Sequence, residues 1–452
     1  MKFTTINTLN DDKLFGIFNC YRLDDENSWN VRLGWCRISH VCRRWRHVAH
    51  SSAFHLGMHI LCTNGTPKVD TLDHLPSLPL FMDYQDATST ITREDVLAMR
   101  YALLLRDRVR RIVLHLPPSI LHNILILMRE TFSMLDHLSL LSTSKEATSL
   151  ILPKTFLAPN LRHLTLLGIN SPKRLRLLSS TVSLVCLALT DIRASGYFNP
   201  RLLVARLESL PQLKELSIGF CIPIPRPSAE RELLGKIGKL VTIPNLKSLR
   251  FQGVSSYLEC FVAQIRAPLL ERLDIALFYQ IAFVLPHLAH LIDTTEAFKF
   301  PTAKVFFGNG ISIIIDHQRY GGPFTLRVMC KQLDWQIDCA AQICSALMPV
   351  LSGVQKLKLD FDGPIIPTEW GNGETDGTTW HELLRSFIGV NALHICGALS
   401  QELSRALQVD EVGLDPGLLP DMQEIQFYES VDRLFGSFIH ARIVAGRPVR
   451  MR

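Results

Sequence analysis

Leu135-Asp-His-Leu138-Ser-Leu140 is the stretch whose reading decides the fold. Its pattern, L-x-x-L-x-L, returns as Leu161/Leu164/Leu166 and Leu184/Leu187/Leu189. With another aliphatic residue or Phe in one place it continues as Leu213/Leu216/Ile218, Leu246/Leu249/Phe251 and Leu270/Leu273/Ile275. Late copies are Val354/Leu357/Leu359, Val390/Leu393/Ile395 and Met422/Ile425/Phe427, and a weaker opening copy is Val109/Ile112/Leu114. From Leu135 to Leu270 successive copies are 26, 23, 29, 33 and 24 residues apart. The fourth and sixth pattern positions alternate with other residues, so each copy predicts a short strand with one apolar face.

The spacing resembles the leucine-rich-repeat period of about 20–29 residues. Each unit needs only its neighbours to bury its apolar face, so the copies stack into a quasi-linear array. The expected fold class is α/β: a small all-α module, then an irregular leucine-rich-repeat solenoid whose curved parallel sheet lines the inside. Parallel strands need crossovers, and several read as helices: 199–210, with Asn as cap and Pro at the first helical position, then 256–266 and 280–292. The crossover 141–159 has no clean periodicity. Between 298 and 333 the pattern fails. There Gly308-Asn-Gly310 and Gly321-Gly-Pro323 separate short strands, which predicts an antiparallel excursion. Residues 336–348, 380–388 and 430–444 read as helices, and 360–379 as a long exposed acidic loop. The expected division is a helical module at 1–60, a connector at 61–108 and the solenoid at 109–452. Within the connector, 78–84 reads as an early strand, and Thr92 caps a helix running to about 105.

The chain has 452 residues, more than one hydrophobic core normally supports, which suits an array. Hydrophobic residues make up 47% and charged residues 20%, so the chain packs and is not disordered. A net charge of +6 with no basic stripe gives no sign of nucleic-acid binding. Eleven scattered cysteines without a C-x-x-C pair point to a reducing compartment. The N-terminus has no apolar run of signal-peptide length. The longest apolar stretch, 278–292, is broken by Gln280, Pro286, His287 and His290, so no membrane span is expected. These features place the protein in the cytoplasm or nucleus.

Before the array, Asn10-Asp-Asp12 supplies a helix cap with acidic first-turn residues. Leu14, Ile17, Phe18 and Tyr21 follow on one helical face, and a second helix runs through Ile38, Val41, Trp45 and Val48. The Arg43-Arg44-Arg46 run on that helix reads as a solvated face. From the pattern alone, an end cap for the array and a partner-docking module account equally well for these helices.

Leu9-Asn-Asp-Asp-Lys-Leu14-Phe-Gly-Ile17-Phe18, then Trp35, then His40-Val41-Cys42-Arg43-Arg44-Trp45-Arg46, resembles the F-box motif, in the form expanded in mushroom-forming (basidiomycete) fungi. The family usually opens Leu-Pro-x-Glu-x-Leu; here Asn10 replaces the proline and Asp12 holds the acidic place. Leu61-Cys-Thr-Asn-Gly-Thr-Pro67 and Val444-Ala-Gly-Arg-Pro-Val-Arg450 are similar to the same proteins, so the resemblance covers nearly the whole chain. It implies a three-helix module docking on the Skp adaptor of a cullin-based (SCF-type) ubiquitin ligase. Leu9, Leu14, Ile17, Phe18, Val41, Cys42 and Trp45 would form or support that docking surface. The repeats would then hold a target protein.

No motif supports catalysis, and no cofactor is implied. Gly235-Lys-Ile-Gly-Lys239 lacks the gap and the Ser/Thr of a phosphate loop. His55, His59 and Cys62 lack a fourth zinc ligand. The acids Asp360, Asp362, Glu369, Glu374 and Asp376 lack calcium-loop spacing. What remains is a surface: the outward strand positions, with His137, His163, Glu215, Arg250, Arg272, Asp274, Lys356 and Lys358 as the candidate target-facing residues. That row is mixed in charge and suits a protein partner better than nucleic acid.

Overall fold

The computed structural model of the chain describes residues 9–25, 40–51, 59–65, 69–72, 78–85, 91–143, 150–170, 176–222, 238–298, 301–316, 324–330, 332–362, 377–407, 418–427 and 432–451. They belong to two compact units, Met1–Pro172 and Lys173–Arg452.

In the first unit five strands run parallel in the order Ile60–Cys62, Leu80–Gln85, Val109–Leu116, His137–Ser142 and His163–Leu167. The segment expected to be a connector thus contributes two strands. In the second of them Leu80, Met82 and Tyr84 are fully buried, so the inward positions are filled without three leucines. Between strands, the helix Arg93–Leu104 opens on a reciprocal Thr92–Asp95 capping box. Asp95 also accepts the Gly65 N–H at 2.6 Å, tying the helix start to the turn after the first strand. The 141–159 crossover is not wholly irregular: Leu150–Ile151 pairs in parallel with Ile169–Asn170, and Thr131 bridges Leu157.

Among the described residues of the second unit, Val241–Thr242 pairs in parallel with Ile265–Arg266, and eleven further strands share one sheet. Their order is Cys186–Ile192, Glu215–Phe220, Ser248–Gly253, Arg272–Phe278, Phe324–Met329, Ile311–Asp316, Thr302–Gly308, Lys356–Asp362, Ala392–Ile395, Glu424–Phe427 and Arg450–Met451. Among the described residues, only Ile311–Asp316 runs antiparallel to both of its neighbours. The excursion expected at 298–333 is therefore present, and its topology follows from the order. After Arg272–Phe278 the chain lays Thr302–Gly308 three places away, then fills the gap backwards through two hairpin strands. Gly310 is required at the first turn, because a Cβ there would lie 2.6 Å from the Val328 carbonyl oxygen.

One backbone latch recurs along the array. The carbonyl of the residue after the first leucine accepts two N–H groups from the next repeat. Asp136 accepts from Arg162 and His163 at 2.8 and 3.0 Å, Lys214 from Lys247 and Ser248, and Gln355 from Asn391 and Ala392. Asn160 and Asn245 add a side-chain version, donating back to the Ser133 and Pro211 carbonyls at 2.7 and 2.8 Å. Such bonds exist only between repeats, so stability is a neighbour property. Thr302–Gly308 shares the latch: the Pro301 carbonyl accepts from Gln355 and Lys356, each at 2.9 Å. It is a repeat in disguise, with Ala303 and Val305 in the buried places usually held by larger residues.

The inward residues Leu138, Leu140, Leu164, Leu166, Leu216, Leu249 and Leu273 are all at most 1% exposed. Each contributes up to about 1.5–3 kcal/mol of burial. Polar side chains pin the irregular joints. Buried Gln336, at the start of the helix Leu333–Ala346, exchanges bonds with both backbone groups of Gly308 (3.0 and 2.8 Å) and donates to the Cys330 carbonyl at 3.0 Å. Glu259, in the helix Ser255–Val262, caps the next crossover helix Pro286–Asp293 by accepting the N–H groups of His287 and Leu288 at 2.8 and 2.9 Å. In the helix Gly436–Val444, fully buried Arg442 donates to the Leu419 and Met422 carbonyls at 3.0 and 3.1 Å.

Candidate functional site

The first candidate is the helix pair Asp11–Asp25 and Arg43–Ser51. Asn10 caps the first helix as expected, its Oδ1 accepting the Lys13 N–H at 3.0 Å. Arg44 is not simply solvated. Its guanidinium crosses to Asp11 at 2.7 Å and donates to the Leu9 carbonyl at 2.5 Å. The Trp45 ring meets Phe18 edge-on at 5.0 Å, a favoured aromatic geometry. The residues that the resemblance assigns to docking divide by burial. Leu14 and Phe18 are buried, Leu9, Cys42 and Trp45 are half-buried, and Ile17 and Val41 are 43% and 54% exposed. Leu14 and Phe18 can therefore only support a surface, while Ile17 and Val41 can form one. Trp35 lies outside the described residues, as does the Tyr21 side chain.

The second candidate is the outward face of the strands. In the first unit, Phe81, Arg111, His137 and His163 form one register row. His59 stacks on Phe81 at 3.9 Å, and the two histidine rings lie 5.4 Å apart. Burial, then the Arg111 guanidinium and the nearby His163, push the His137 imidazole down to about 4, so it is neutral at pH 7. Ser139, expected to face out, is buried between its row partners Val113 and Thr165.

In the second unit one continuous row reads Ala188, Ser217, Arg250, Asp274, Thr325, Ile314, Lys304, Lys358, His394 and Gln426. Its first half is neutralised, because Asp274 holds Arg327 at 2.7 Å and Arg250 at 4.0 Å. Glu215 and Arg272 flank Ser248 in the adjacent row. Burial and Glu215 together push the neighbouring Cys186 thiol up to about 11. The far half is basic. Lys304 lies opposite Lys358, which lies opposite His394, with Lys356 two residues before Lys358. Burial, then Lys356 and Lys358, hold His394 down to about 4. Lys304 and Lys358 are like charges directly opposite, an arrangement that costs stability in a sheet.

The eight expected target-facing residues divide between the two units, and within the second unit they fall on two sides of the antiparallel insertion. His137 and His163 belong to the first unit. Glu215, Arg250, Arg272 and Asp274 lie on one side of the antiparallel insertion, and Lys356 and Lys358 on the other. Counting leucines misses Lys304 and Arg327, because their strands lack the pattern. His394 sits at the fifth position of a legible repeat, where the same count finds it.

Among the described residues no cluster of His, Cys, Asp or Glu is disposed to hold a metal, and no helix is long and apolar enough to cross a membrane. His55, residues 235–237 of the phosphate-loop look-alike and 363–376 of the acidic loop lie outside the described residues. Cys62 is buried, and burial pushes its thiol up to about 12.

No family model matches the chain. No curated protein matches it either. Among solved structures, one protein in a crystal structure of a TLR13–ssRNA13 complex is similar over 84% of this chain and 48% of that chain, with 11% identity and a TM-score of 0.33. The leucine-rich-repeat character rests on the array's own register and latches.

Proposed function

We propose that the chain is a substrate-recognition adaptor of a cullin-based ubiquitin ligase. Its N-terminal helix pair docks on a Skp-type adaptor, and its repeat array holds a target protein. The observation that carries this is the pair of exposed aliphatic residues: Ile17 on the first helix, whose Leu14 and Phe18 are already buried, and Val41, which precedes the second helix across a break at Cys42. Helices serving only as an end cap have no need to display them. The F-box resemblance places both in the docking motif. The chain's role is proximity: tethering raises the effective concentration of target lysines near the transfer machinery, with no catalytic group supplied here. A non-catalytic interaction scaffold is the coarser form of the same reading and needs only the repeat array.

The test is calorimetric titration of the folded chain with purified Skp-type adaptor. Saturable one-to-one binding is expected, weakened at least tenfold by the double substitution Ile17→Ser, Val41→Ser at an unchanged melting temperature. Absence of binding by folded wild-type protein removes the adaptor reading.

A further inference from the structure

We infer that the rim of the second unit, at the ends of Arg272–Phe278 and Phe324–Met329, docks a partner segment that is apolar and carries arginine or lysine. The two strands finish side by side, with Phe278 in register with Met329. Just beyond, Tyr279 stacks on Trp335 at 5.2 Å with the ring planes 23° apart. Trp335 lies in the helix Leu333–Ala346, which also carries Asp338 and Gln342. Gln342 accepts the Phe283 N–H at 3.1 Å and donates to the Ile281 carbonyl at 3.1 Å and to Asp338 at 3.0 Å. The loop is therefore held by its backbone on Gln342 and by buried Phe283 and Leu285, which leaves Ile281 free of that task.

Those side chains stay in water. Ile281 is 88% exposed, Met329 72%, Trp335 47% and Tyr279 39%. Four large residues gathered at one rim exceed the scattered singles of an ordinary surface. Their types, Trp, Tyr and Met, are those enriched at the centres of protein interfaces. Charge selects the partner. Asp338 follows Trp335 by one turn and is exposed, and its charge acts on Tyr279, the ring stacked on the indole. A cation over the ring pair gains from the ring face and from that acid. An anionic segment is repelled.

This surface shares no residue with the N-terminal helix pair and stands whether or not the adaptor reading does. The test pans phage-displayed random dodecamers on the full chain, with counter-selection on the Trp335→Ala, Ile281→Ser variant. Synthetic copies of the selected peptides are then titrated by fluorescence anisotropy. The expected sequences combine large apolar residues with arginine or lysine. Their affinity falls at least tenfold in Ile281→Ser and several-fold in Asp338→Asn. Ile281 is almost wholly exposed, so its substitution leaves the fold intact even if that of Trp335 does not. No enrichment, acidic sequences, or affinities unmoved by Ile281→Ser overturn the proposal. So does a dimer in sedimentation equilibrium that Ile281→Ser abolishes, which assigns the rim to a second copy of this chain.

Discussion

The repeat array and the N-terminal helix pair both bury their best apolar residues, but they differ in what is left over. In the array each inward leucine has a neighbour on either side, and Leu216 and Leu249 lie closed between the repeats before and after them. In the helix pair Leu14 and Phe18 are closed, yet Ile17, and Val41 just before the second helix, remain outside; the helix expected to run through Val41 and Trp45 is broken at Cys42. A stack consumes its apolar surface from both directions, whereas two short helices share one interface and have a remainder. The difference teaches where binding can be sought. On the regular repeats it lies in polar residues between the leucines, whereas in the helix pair, as at the rim beside the antiparallel insertion, it lies in an apolar remainder.

The sharpest way to break that comparison is to cut each region at its closed positions. Leu216→Ala and Phe18→Ala are expected to cost about 2–5 kcal/mol each, measured by urea unfolding. The outward neighbour Ser217→Ala should stay within about 0.5 kcal/mol. Equal losses at Leu216 and Ser217 would erase the distinction between the two faces.

The next effect lies at the joint of the antiparallel insertion. Gln336→Leu removes the side-chain partner of the Gly308 N–H and of the Gly308 and Cys330 carbonyls, and a loss of about 2–3 kcal/mol is expected. Chemical unfolding of the variant measures it, and a neutral result would mean that the insertion is held by its apolar faces alone.

A smaller effect follows from the two depressed histidines. Both His137 and His394 are held at about 4, against an ordinary value of 6.5. Between those values the unfolded chain binds more protons than the folded one, so stability rises with pH through the window. It is complete above about 6.5 and lost as pH falls toward 4. Urea midpoints at pH 7, 5.5 and 4.5 should fall in that order, and His394→Asn should flatten part of the slope. The smallest change in stability is expected at the remainder itself. Ile17→Ser and Val41→Ser should each shift unfolding by no more than about 0.5 kcal/mol.

Much of this fold is legible in the sequence because leucine at the fourth and sixth positions makes strand, register and inward face one signal. The Thr92, Asn10 and Asn199 caps are legible for a similar reason, since cap chemistry is local. The strand at Val305-Phe-Phe is legible, but its place as a parallel repeat hides because Ala303 and Val305 do the work of leucine there, and Pro301 supplies a latch that needs only a carbonyl. Its neighbour Lys358 is visible and Lys304 is not, so half of the basic patch is missed. Arg44 is misread for a different reason. Its partners Asp11 and Leu9 lie more than thirty residues away, and no local pattern announces them. Of the docking residues, sequence spacing marks a helical face but cannot divide it into the part that closes the helix pair and the part left in water.

The central claim is that fold and binding use different residues, and one paired measurement tests it directly. Unfolding free energy and affinity for a Skp-type adaptor are measured on the same three proteins: wild type, Leu216→Ala, and the Ile17→Ser, Val41→Ser double variant. The account predicts that Leu216→Ala loses stability and keeps wild-type affinity while folded, and that the double variant keeps stability and loses affinity at least tenfold. A double variant that binds like wild type would contradict it.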